Sequence, residues 1–64
     1  MTIAAIDERR RLAGISQKDV CRRAGVHPTT YSLIKNGRRD CYATTLEKLA
    51  AAVSALIEEK ERAA

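Results

Sequence analysis

Gln17-Lys18-Asp19-Val20-Cys21-Arg22-Arg23-Ala24-Gly25-Val26-His27-Pro28-Thr29-Thr30-Tyr31-Ser32-Leu33-Ile34-Lys35-Asn36 reads as two short helices broken by one glycine-centred turn. Val20, Cys21 and Ala24 recur at the spacing that shares one side of a helix. Gly25 ends that helix and tolerates the positive φ a tight turn demands. His27 then stands at a cap position, and Pro28 takes the first helical position, where its missing N–H costs nothing. Tyr31 and Ile34, three apart, point inward with Val26, and Asn36-Gly37 is a strong stop. Helices joined so closely must cross steeply, which needs small residues at the contact; Cys21 and Ala24 supply them. With the apolar set buried, the second helix of the pair turns His27, Pro28, Thr29, Ser32, Leu33 and Asn36 outward. That face has no acidic group and short side chains, so it can approach a polyanion closely.

Upstream, residues 2–13 form a candidate helix with Ile3, Ile6 and the stem of Arg10 along one side, and Gly14 stops it. Ser16 fits an N-cap for the helix that follows over 17–24, its hydroxyl accepting from an orphan amide. Downstream, Thr44-Thr45-Leu46-Glu47 reads as a capping box. It opens a helix over about 45–62 whose apolar row is Leu46, Leu49, Val53 and Leu56. Its last turns, with Glu58, Glu59, Lys60 and Glu61, are expected to be solvated and frayed. The spacing therefore predicts an all-α chain in a single domain over 1–64.

Charge is distributed unevenly. Residues 1–40 carry nine Lys and Arg against four Asp and Glu, whereas residues 41–64 are close to neutral. A basic front end suits a polyanionic partner. Several classes are excluded by what is scarce. Two cysteines, Cys21 and Cys41, make no disulfide framework, and with one histidine they lack the ligands for a zinc site, so no metal or cofactor is expected. Cys21 reads as a packed small side chain, since no catalytic base neighbours it. There is no paired-carboxylate, nucleophile–base or phosphate-loop pattern, so neither catalysis nor a small-molecule substrate is expected. No apolar run is long enough for a membrane span and no leader pattern opens the chain, so a cytoplasmic location is expected.

These residues resemble the Cro/C1-type helix-turn-helix family, also called XRE. The likeness rests on Gly14-Ile15-Ser16-Gln17, Val20-Cys21 and Ala24-Gly25-Val26, then Tyr31, Ile34, Asn36-Gly37 and Leu46…Leu49-Ala50, and it covers about residues 3–56. The resemblance implies a lambda-repressor-like fold of four or five helices with a long C-terminal helix. It also implies that the chain binds double-stranded DNA, with the helix-turn-helix over about 17–36 and helix 28–36 in the major groove. Carried over residue by residue, Gln17 matches a phosphate-anchoring glutamine. Pro28, Thr29 and Leu33 match base-edge positions, with His27 and Ser32 beside them. Asn36, Arg38 and Arg39 match the loop that grips phosphate. Pro28 and Leu33 cannot donate to bases, so polar discrimination falls to His27, Thr29 and Ser32 while thymine methyls and shape serve the other two.

Two positions depart from the family pattern. Lys35 stands where a Glu often pairs with the arginine matching Arg10; that bridge cannot form, and Arg10 is expected to turn to Asp40, solvent or phosphate. Arg9 stands where an apolar residue is common. Arg22 and Arg23 are read as solvated. Val53, Leu56 and Ile57 are expected to pair two copies, giving the two-fold symmetry that suits a palindromic operator. The functional expectation is a sequence-specific transcriptional regulator acting as a repressor; the alternative is a protein-interaction module, antitoxin or adaptor, on the same scaffold.

Overall fold

A computed structural model describes residues 2–63, and among them there are four helices and no strand. They are α1 (Ile3–Leu12), α2 (Gln17–Ala24), α3 (Pro28–Lys35) and α4 (Ala43–Ala63). Each of the first three starts where a side chain satisfies an orphan amide. Thr2 Oγ1 accepts from the Ala5 N–H at 3.2 Å, Ser16 Oγ from Asp19 at 3.1 Å, and His27 Nδ1 from Thr29 at 3.1 Å. The expected caps at Ser16 and His27 are thus in place.

The fourth helix starts differently from expectation. Ala43 is already helical, and the Leu46 N–H bonds to the Tyr42 carbonyl at 3.0 Å. Thr44 therefore lies inside the first turn, two positions too late to serve as the cap of a Thr44–Glu47 box.

Ile6, Ile15, Val20, Cys21, Tyr31, Leu49, Ala52 and Val53 form one buried cluster, with Ile3, Ala24, Val26, Leu46, Leu56 and Ile57 packed around it. The long α4 is the platform: α2 lies across it most extensively, α1 rests on it as well, and α3 is held by α1 and α2. Fully burying one large apolar side chain such as Leu49 contributes about 1.5–3 kcal/mol, so this small set supplies most of the driving force. Val53 is 0 % exposed. It has no surface to offer a second copy, which removes it from the expected dimer face.

The tail of α4 is also tied more closely than expected. Glu59 pairs with Arg23, and Lys60 Nζ donates to the Ala13 carbonyl at the C-terminal end of α1. Arg23 is therefore ion-paired, not simply solvated. Arg9, in the place of an apolar residue, reaches Ser54 Oγ at 2.9 Å and links α1 to α4 through a polar contact.

The expectation for Arg10 is overturned by a partner inside its own helix. Arg10 Nη2 lies 3.0 Å from Asp7 Oδ1, its Nε donates to the same oxygen, and Nη1 donates to the Ile15 carbonyl at 2.9 Å. Asp7 Oδ1 also accepts from the Tyr31 hydroxyl at 2.7 Å. One carboxylate thereby closes a buried network across α1, α3 and the α1–α2 turn. Burial by itself raises the Asp7 carboxyl, but the hydrogen bonds from Tyr31 and Arg10 and the charges of Arg10 and Lys35 outweigh it and leave it below its ordinary range. Burial, then the hydrogen bond and charge of Asp7, push the Tyr31 phenol well above its ordinary value.

Candidate nucleic-acid interface

Gly25 sets the angle between α2 and α3. Its φ of 71° lies in the left-handed region, its N–H bonds to Arg22 O at 3.4 Å, and the Val26 N–H reaches back to Cys21 O at 3.0 Å. This closure satisfies the last carbonyls of α2 and sends the chain off in a new direction after one residue. Val26 is half-buried, and His27 with Pro28 starts the next helix at once.

What fixes the rotation of α3 about its own axis is the inward pair. Tyr31 is 0 % exposed and Ile34 6 %. The Tyr31 hydroxyl is held by Asp7, so α3 cannot roll without stranding a buried phenol and a buried carboxylate. The opposite side then faces solvent as expected: His27, Pro28, Thr29 and Asn36 are exposed, while Ser32 and Leu33 are half-buried. No acidic residue occurs between His27 and Arg39.

The polar groups on this side are oriented by bonds within the protein. His27 Nδ1 is occupied as an acceptor from the Thr29 amide, which in the neutral ring leaves the proton on Nε2. Gln17, the first residue of α2, donates from Nε2 to Ser32 Oγ at 3.1 Å. Ser32 thus keeps its own O–H to donate elsewhere. Lys35 Nζ donates to Gln17 Oε1 at 3.2 Å. Gln17 is therefore latched between two residues of α3 and brought into the same patch as Ser32.

Beyond α3, Asn36 occupies the C-cap, Gly37 turns the chain, and the Arg38 N–H bonds back to Leu33 O at 2.9 Å. Arg38 and Arg39 follow as exposed loop residues. Leu56 and Ile57 of α4 are half-buried at the edge of the core. Two contributors escaped the sequence reading: Asp7, which locks α3 from 24 residues away, and Lys35, which joins the Gln17 patch. The i,i+3 spacing of Asp7 and Arg10 is a local signal that points to their pairing; the approach of Tyr31 has no such signal. Cys21 is buried, and burial pushes its thiol up, in keeping with a packing role.

Among the described residues no group of three His, Cys, Asp or Glu side chains could hold a metal, and no helix is long and apolar enough to cross a membrane. A family model described as helix-turn-helix matches residues 6–53, three quarters of the chain. No curated protein and no solved structure matches.

Proposed function

The chain belongs to the Cro/C1-type helix-turn-helix family, a family of DNA-binding regulators, and from that premise we propose that it is a sequence-specific repressor reading the major groove with α3. The observation that carries this reading is the outward side of α3: acid-free, exposed at its N-terminal end, and fixed in rotation by Tyr31. An α-helix presented this way fits the width of the B-DNA major groove, and its N-terminal residues meet the base edges.

In this reading Thr29, Ser32 and His27 supply polar readout, and Pro28 and Leu33 supply apolar contact. The free donors on Ser32 and on His27 Nε2 favour acceptor edges, namely purine N7, guanine O6 or thymine O4. Leu33 and Pro28 suit a thymine methyl. Gln17, Asn36, Arg38 and Arg39 grip phosphate and set the register. Two copies pair through Leu56 and Ile57 on the edge of α4 and read two half-sites. Repression follows from occupying the operator, with the protein acting in the cytoplasm.

The test is selection of duplexes from a random pool, followed by mobility shifts over a range of salt. The expected result is an enriched two-fold-related motif whose affinity falls steeply with salt, because each phosphate contact releases counterions. Arg38→Ala and Arg39→Ala each weaken binding about equally across sequences, whereas Thr29→Ala costs about 1 kcal/mol on the preferred site and relaxes one base position. Recovery of no duplex at low salt sinks the proposal.

A further inference from the structure

We propose that Lys35 is a further phosphate-contacting residue, acting beside Gln17 at the junction of α2 and α3; the inference rests on the DNA-binding reading of that face. Three observations lead to it. First, the Lys35 ammonium lies 3.2 Å from Gln17 Oε1, and Gln17 is joined in turn to Ser32, so the charge sits at the edge of the patch that faces the duplex. Second, its partner is a neutral amide. An ammonium has three donors and the Gln17 carbonyl uses one, which leaves two for an incoming oxygen.

Third, no carboxylate neutralises it. Lys35 forms no salt bridge among the described residues. The acid that feels its charge, Asp7, is already paired with Arg10 at 3.0 Å and hydrogen-bonded by Tyr31, and its side chain is only 12 % exposed. Arg10 is spent in the same network, with its Nη1 on the Ile15 carbonyl. The interior thus balances its own charges and leaves the Lys35 cation at the rim uncompensated. A flexible, exposed ammonium next to an amide that donates to the same surface forms a two-pronged grip, one prong charged and one neutral.

The two prongs respond differently to salt, which gives the test. The duplex selected for tightest binding by the wild-type chain is titrated from 50 mM to 1 M salt with wild type, Lys35→Met, Lys35→Arg, Gln17→Ala and, as a control on the α4 tail, Arg62→Gln. Lys35→Met is expected to lower the magnitude of the slope of log K against log salt by about 0.9, the value of one phosphate contact on B-DNA. Its affinity at 50 mM then falls roughly tenfold, and the gap closes toward 1 M. Lys35→Arg keeps the wild-type slope. Gln17→Ala weakens binding at every salt concentration with the slope unchanged, because an amide displaces no cation. Arg62→Gln changes neither.

A structural role for Lys35 would instead lower thermal stability and leave the slope intact. That result, from a variant that still folds by circular dichroism, overturns the assignment while leaving the DNA-binding reading standing. Failure of the wild-type chain to retain any duplex overturns both.

Discussion

Asp7 is the residue on which the site's rigidity turns, although it lies far from the outward side of α3. Its carboxylate accepts from Arg10 and from the Tyr31 hydroxyl in a nearly closed environment. Removing one partner of a buried ion pair strands the other, which typically costs about 3 kcal/mol or more. Asp7→Ala is therefore expected to destabilise the domain by about 3 kcal/mol in urea unfolding. Tyr31→Phe, which leaves the Asp7–Arg10 pair intact, should cost about 1.5 kcal/mol. Equal losses in the two variants would mean that the carboxylate and phenol do not share load in this way. The pH dependence follows from the sign of the shift. The folded carboxyl is held below its unfolded value of 3.8, so the folded state binds its proton less readily than the unfolded chain. Its stabilisation is full above that unfolded value and is lost as pH falls through the folded one. Asp7→Asn should accordingly flatten the acid limb of a stability profile below about pH 4. Neither the pH effect nor the α1–α3 lock is legible in linear spacing, because Asp7 and Tyr31 meet only after two turns of the chain. The outward residues of α3 are legible, since a helix with Tyr31 and Ile34 fixed inward has its other face determined.

At the scale of the elements, punctuation carries most of the information. Ser16, Gly25, His27-Pro28 and Gly37 each do locally what their chemistry dictates, and α1 to α3 fall within a residue or two of the boundaries that the sequence predicts. The start of α4 lies two residues ahead of the predicted one, with the Leu46 N–H bonded to the Tyr42 carbonyl and Ala43 already in the helix. Two of the glycine turns separate backbone strain from contact. A Cβ at Gly25 meets nothing within 4 Å, whereas one at Gly14 comes within 2.8 Å of Lys60 Nζ, and both positions have a φ of +71°. Gly25→Ala should therefore cost only the left-handed penalty, about 1 kcal/mol. Gly14→Ala should cost that amount and also push Lys60 from its bond to Ala13 O. Thermal melts of both variants in the Lys60→Met background provide the check: the excess penalty at Gly14 should vanish there, leaving the two glycine positions with the same left-handed penalty. An excess that survives the Lys60 change would locate the crowding elsewhere.

For the whole molecule, the question is how 64 residues hold α3 still with so little core. The answer lies in α4, whose 21 residues make a rod of about 32 Å against a longest extent of 37 Å for the whole domain, and which gives every other helix a surface to lean on directly or through a neighbour. Its row of Leu46, Leu49 and Val53 could be read from periodicity, and so could its apolar content. The division of that row between the chain's own core and a second copy could not, because it depends on how completely the packed core encloses Val53. The contacts of Glu59 with Arg23 and of Lys60 with Ala13 were equally hidden, since they join segments more than thirty residues apart through exposed groups that carry no local pattern. They give the final turns a mechanical role distinct from recognition. A chain ending at Ile57 retains every buried residue and all of α2 and α3, so it should still fold and bind the selected duplex as tightly as the full chain at 25 °C. Its thermal midpoint should fall by roughly 4–8 °C, the shift that about 1 kcal/mol produces in a domain of this size. High salt should narrow the difference, because screening weakens the exposed Arg23–Glu59 pair in the full chain. An unchanged midpoint would reduce the tail contacts to surface decoration. A loss of DNA affinity at 25 °C in the still-folded truncated chain would instead show that the end of α4 takes part in binding, either at the duplex or by holding two copies together.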